Sequence, residues 1–160
     1  MWEATGGEPT LYSNLRDLGK KLFVQADLWG SESAAEWHFS KIINDPNNSL
    51  AWRDENGHHP MDDAANTIMR RKLDQVMRVI RNSLAHGNIV FLDAQWGERE
   101  NRSVRYIAFL SRYEETGEQR AKDETYRVVA TTPDEFLRFL RLWALWLGKQ
   151  SPEQDLRAAA

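Results

Sequence analysis

The sequence predicts an α+β fold, mostly helical: an antiparallel bundle of about four helices, with a three-stranded antiparallel β-meander inserted before the last helix. Three observations predict it. Apolar residues recur at spacings of three and four through three segments before Gly87. Between Ile89 and Ala130 the pattern changes to short β-rich runs separated by turn signals. From Thr132 the helical spacing returns, in the most apolar stretch of the chain. Two periods in one chain, 3.6 and 2, are the signature of helices and strands in the same fold.

The elements follow in order. Residues 1–9 hold Gly6-Gly7 and Pro9 and read as a flexible start. Leu11, Leu15, Leu18, Leu22, Ala26 and Trp29 then form one face of an amphipathic helix that Gly30 stops. Ser33-Ala34-Ala35-Glu36 has the form of a capping box, so a second helix is expected to carry Ala35, Phe39, Ile42 and Ile43 inward. Asp45-Pro46 ends it, because proline cannot continue the hydrogen-bond ladder. A third helix is expected from Met61, with Asp62 and Asp63 in its positive first turn. Its stripe is Met69, Leu73, Val76, Ile80 and Leu84, and Gly87 is placed to end it in a left-handed conformation.

Three strands follow: Ile89–Leu92, Val104–Leu110 and Thr125–Ala130. Gly97 and Thr116-Gly117 mark the connections, which are short enough for an antiparallel meander. Thr132-Pro133-Asp134-Glu135 opens the last helix, with threonine as N-cap, proline at the first position and glutamate three residues after the cap. Phe136, Leu137, Phe139, Leu140, Trp143, Ala144 and Leu147 make it apolar almost all round, so both faces are expected to be covered, and Gly148 is expected to close it. Residues 10–150 are read as a single domain and 151–160 as a flexible tail.

Composition narrows the chemistry. The chain has no cysteine, which excludes disulfides, thiolate catalysis and cysteine-held metals. No apolar run approaches the roughly 20 residues of a membrane span, and the first residues lack the form of a signal peptide. A soluble, cytoplasmic protein is expected, with no membrane partner. The net charge of −3 argues against bulk coating of nucleic acid. Basic charge is nevertheless concentrated locally. Arg70, Arg71, Lys72, Arg78 and Arg81 face one acid, Asp74, over the same stretch.

That stretch ends in Arg81-Asn82-Ser83-Leu84-Ala85-His86. An arginine followed by asparagine, with histidine five positions on, at the end of a long helix, resembles the signature of the HEPN superfamily. The strands after the motif helix and the aromatic last helix resemble small bacterial and plasmid-borne members. The signature itself covers six residues. What the resemblance implies is a metal-independent endoribonuclease, with no cofactor, that leaves a cyclic phosphate and a 5′-hydroxyl. It further implies a homodimer with its site at the interface, RNA as substrate, and a setting in bacterial defence or as a toxin held by an antitoxin or other inhibitory protein.

The chemistry suits the residue types. Cleavage needs a proton taken from a 2′-hydroxyl, a proton given to the leaving oxygen, and charge stabilised on the phosphoryl oxygens. Histidine moves protons near neutrality, and arginine grips phosphate with a planar fork of donors. Arg81 and His86 are therefore the expected catalytic pair, in roles of acid and base that the sequence leaves open. Asn82 is expected to orient His86 or substrate, and Arg78, one turn earlier, to touch RNA.

Helix geometry complicates this. Five positions on an ideal helix are about 140° apart. Either the helix breaks at Gly87 and re-aims His86, or two copies of the helix meet across a twofold axis.

Plainer readings stand beside these. Cations near a helix C-terminus are favourable with no function at all. The same fold could bind RNA, nucleotide or a protein partner without cutting, or serve only to dimerise. His58-His59 has no ligand cluster at metal spacing beyond Asp62 and Asp63 and reads as a polar loop, so no metal site is expected. The seven tryptophans are expected mostly in core or interface.

Overall fold

The computed structural model describes residues 10–43, 48–54, 56–98, 103–112 and 125–150. The expected flexible ends, the Asp45-Pro46 stop and the Thr116-Gly117 turn lie outside them. The fold is α+β, as expected, but with four antiparallel strands and without a four-helix bundle. Its elements are α1 (Leu11–Gly19), β1 (His38–Ile42), α2 (Ala64–Thr67), α3 (Leu73–His86), β2 (Ile89–Leu92), β3 (Tyr106–Ser111), β4 (Tyr126–Thr131) and α4 (Pro133–Gln150), with single 3-10 turns between. The sheet order is β1-β4-β3-β2.

The strands β2, β3 and β4 form the expected meander, with Phe109 opposite both Ile89 and Val129. The fourth strand is the correction. Residues 38–42, read as part of a helix, pair antiparallel with β4 in the register His38↔Ala130 to Ile42↔Tyr126. The physical reason lies in β4. Val128, Val129 and Ala130 are fully buried, so the backbone groups on both edges of that strand need partners. β1 supplies the second edge. Phe39 enters the core on one side of the sheet and Ile42 the core on the other. Apolar residues at 39, 42 and 43 fit a helical spacing and a two-sided strand equally well. Glu36, at φ +55°, also interrupts any helix starting at the Ser33 box.

The first helix is shorter than its stripe suggested. Leu22 bridges Lys72; the Phe23 N–H donates to the Arg71 carbonyl at 2.8 Å, and the Leu73 N–H to the Lys21 carbonyl at 2.9 Å. This exchange also divides the expected third helix. It becomes the short α2, a 3-10 turn over Ile68–Arg70, and α3. Gln75 supports the new start by accepting from the Lys72 N–H at 2.9 Å.

α3 lays Leu73, Val76, Val79, Ile80 and Ser83 on the sheet. Leu84, expected in that stripe, is exposed. α4 packs on the same side. Its Phe136 meets Phe109 at 4.9 Å between ring centroids. Phe139 sits among Phe23, Trp29 and Trp37. A second core, with Trp52, Met61, Leu92 and Leu110, covers the far side.

Glu135 ties the chain before β1 to α4. Thr132 caps α4 as expected, its Oγ accepting from the Glu135 N–H at 3.2 Å. The Glu135 carboxylate turns away to accept from the Trp37 indole, the Ala35 N–H and Arg138. α4 passes helically through Gly148 to Gln150. Among the described residues only one of its faces is covered: Leu137, Leu140 and Leu145 are exposed. No helix among the described residues is long and apolar enough to cross a membrane.

Candidate functional site

The end of α3 is fixed from inside the motif. Ser83 is fully buried. Its hydroxyl donates to the Asn88 carbonyl at 2.6 Å, and its carbonyl accepts from the Gly87 and Asn88 N–H groups. Gly87 holds the left-handed conformation the sequence predicted, at φ +70°. The helix stays regular through His86, so the break re-aims nothing within the motif.

With Ile80, Ser83 and Val79 turned to the sheet, the opposite face of α3 carries the polar residues. Moving around the helix at about 100° per residue, Arg81 comes first, then Ala85 and Arg78, then Asn82 and His86. Arg81 and His86 are exposed and Arg78 is half-buried. Among the described residues none of the three side chains makes a hydrogen bond or ion pair.

Two concavities flank this face. The larger, about 350 Å³, lies between α1, α3 and α4 and is lined by Leu15, Leu73, Asp74, Met77, Arg78, Arg81 and Trp143, with Gly19 at its edge. The other, about 220 Å³, lies where α3 meets the ends of β3 and β4. Asn82, His86, Asn88, Ser111, Arg112 and Tyr126 line it. One chain thus brings Arg81 together with Arg78, and His86 together with Asn82, but does not bring Arg81 and His86 into one cavity. Asn82 makes no bond to His86. Its amide donates instead to the Ser111 hydroxyl at 3.3 Å.

Several contributors lie outside the motif. Ser111 is buried beside Asn82. Arg127, opposite Ser111 in the β3–β4 register, is a buried cation whose guanidinium donates to the Arg112 carbonyl at 2.8 Å and to Thr125. It ties the strand ends that form the floor of the His86 cavity. An arginine inside the apolar run Tyr126–Ala130 was the one signal of this in the sequence. Elsewhere in the basic stretch, Arg71 lies over the Phe39 ring at 4.4 Å, so it is part of the packing. No group of three or more His, Asp or Glu residues able to hold a metal occurs among the described residues. His58 sits beside Asp54, 3.8 Å away, in an exposed turn.

α3 thus ends in Arg-Asn-x3-His, is seated on an antiparallel sheet and presents Arg81 and His86 to solvent. The chain belongs to the HEPN pEK499 p136 family, which matches residues 19–154. Neither a curated protein nor a solved structure matches it.

Proposed function

We propose that the chain is a metal-independent endoribonuclease whose active unit is a homodimer. The observation that carries this reading is the placement of Arg78, Arg81 and His86. They stand on the solvent face of one helix end, without side-chain polar partners among the described residues, so their hydrogen-bonding capacity is open to a ligand. A phosphodiester is the ligand that fits two guanidinium forks together with an imidazole brought to them from a second copy.

In the proposed reaction the 2′-hydroxyl gives up its proton and attacks the adjacent phosphorus. The bond from phosphorus to the 5′-oxygen breaks, and that oxygen takes a proton. A cyclic phosphate and a 5′-hydroxyl remain. Histidine carries protons, arginine holds the phosphoryl oxygens, and Asn82 orients substrate from its anchor on Ser111.

Because Arg81 and His86 open into different concavities of one chain, reaching one phosphate takes a second copy. The uncovered apolar stripe of α4, Leu137, Leu140 and Ala144, and the exposed Leu84 on α3 give that copy a surface to bury. Ala85, small and central on the α3 face, lets two such helix ends approach. The biological setting, in defence or as a toxin with an inhibitory partner, extends this reading by family resemblance.

The separation of Arg81 from His86 within a chain also favours a second reading, a module that binds RNA, nucleotide or protein without cutting. The test is cleavage of labelled RNA in EDTA by wild type, Arg81→Ala and His86→Ala. Loss of cutting in both variants, with fold and dimer retained, supports the nuclease. Wild type that binds RNA and never cuts it supports the module.

A further inference from the structure

The groove between α1, α3 and α4 has a composition that the cleavage step alone does not require. It holds two guanidinium groups, Arg78 and Arg81, at one end and a carboxylate, Asp74, at the other, with Leu15, Met77 and Trp143 as apolar walls. Asp74 and Arg78 are four apart on α3, the spacing at which an acid and a base usually pair. They form no ion pair here, and neither has another polar partner among the described residues. Charges of both signs are therefore left open inside one concavity.

Their order along the helix is fixed. Asp74, Arg78 and Arg81 fall on one stripe, and seven residues separate the first from the last, about 10 Å at 1.5 Å per residue. Asp74 stands where α1 comes close to α3. Gly19 of α1 lies so close that a Cβ there would come within 3.2 Å of the Asp74 Cβ.

We propose that this groove is a nucleotide-recognition subsite that selects guanine in single-stranded RNA, with phosphate at Arg78 and Arg81, the base against Met77 and Trp143, and its edge at Asp74. This rests on the ribonuclease reading above and names its specificity. A carboxylate only accepts hydrogen bonds. Guanine is the base whose pairing edge presents two donors side by side, N1–H and the 2-amino group, and so matches a carboxylate in the two-pronged manner. Adenine, cytosine and uracil each place an acceptor at one of those positions, opposite the acid's negative charge. Unpaired bases are the ones whose pairing edges are open to such readout, commonly beside aromatic side chains.

The test is binding of the four nucleoside 5′-monophosphates to the full-length protein by calorimetry, alongside mapping of cleavage sites on a randomised single-stranded RNA. GMP is expected to bind on the order of tenfold more tightly than AMP, CMP or UMP, within the usual value of a two-pronged base contact. Asp74→Asn is expected to abolish that preference. Arg78→Ala is expected to weaken all four nucleotides alike. Equal binding of the four nucleotides to wild type overturns the proposal without reference to any variant. So does a GMP preference that survives in Asp74→Asn. The two readings fail separately. RNA cut in a His86-dependent way without guanine preference leaves the nuclease and removes the guanine site. Guanine preference in binding without any cleavage leaves the site and removes the nuclease.

Discussion

The Asn82 amide donates to the Ser111 hydroxyl at 3.3 Å, joining the motif helix to the end of β3. Asn82 is thereby held by the sheet and not by its motif neighbour His86. Ser111→Ala removes the acceptor and is expected to cost about 1 kcal/mol in urea unfolding, the usual net value of a hydrogen bond. RNA cleavage is expected to fall several-fold more than the stability change explains, since Asn82 is then free to turn. Unchanged cleavage in a stably folded Ser111→Ala protein would show that the anchor has no part in the reaction.

A composite site makes a prediction about mixtures. Arg81→Ala and His86→Ala proteins, each inactive alone, are expected to regain activity when unfolded and refolded together. Random pairing makes about half the dimers mixed, and each mixed dimer has one complete site of two, so about a quarter of the wild-type rate should return. No recovery from a mixture that demonstrably contains mixed dimers would mean that each site draws on one chain.

The proposed interface on α4 can be tested directly. Leu137 and Leu140 are exposed in the single chain, so the double change Leu137→Glu and Leu140→Glu should cost the monomer fold little, about 0.5 kcal/mol per surface site. Sedimentation velocity is expected to give a monomer, and RNA cleavage to be lost with the dimer. A double variant that remains dimeric would place the interface on another face.

Glu135 predicts a pH dependence. Burial alone would raise its pKa, but hydrogen bonds from Arg138, the Ala35 N–H and the Trp37 indole outweigh burial and hold it below the usual carboxylate range. A carboxyl whose folded pKa is depressed stabilises the fold above its ordinary value and loses that contribution as pH falls through the folded value. Glu135→Gln is expected to destabilise the protein at neutral pH by about 1.5–3 kcal/mol, the range for charge-assisted hydrogen bonds. The gap to wild type should narrow as pH drops below about 4, where carboxylates ordinarily titrate. Urea unfolding at a series of pH values measures it, and a gap independent of pH would remove the charge from the explanation.

What was legible in the sequence was local. The motif helix, its left-handed Gly87 end, the meander of β2 to β4 and the Thr132 cap each follow from neighbours in the chain. What was not legible depends on distant pairing. The segment carrying Phe39 and Ile42 is a strand because β4 has an open edge to fill, which no reading of residues 33–45 alone reveals. The divided third helix has the same cause, since Lys21 and Phe23 exchange backbone hydrogen bonds with Arg71 and Leu73. At the site, Arg81, Asn82 and His86 stand out by spacing. Ser111, Tyr126 and Asp74 carry no such mark, because ordinary surface positions hold the same residue types. Arg127 alone broke the pattern of its strand.

The pairing of His38 with Ala130 has a consequence for how the molecule comes into being. The motif helix leaves the ribosome well before β4, which completes its seat, and before α4, which packs on the same side of the sheet. The central sheet closes only when β4 has been made to receive β1, so the helix that carries Arg81 and His86 waits for its full seat until both strands are present.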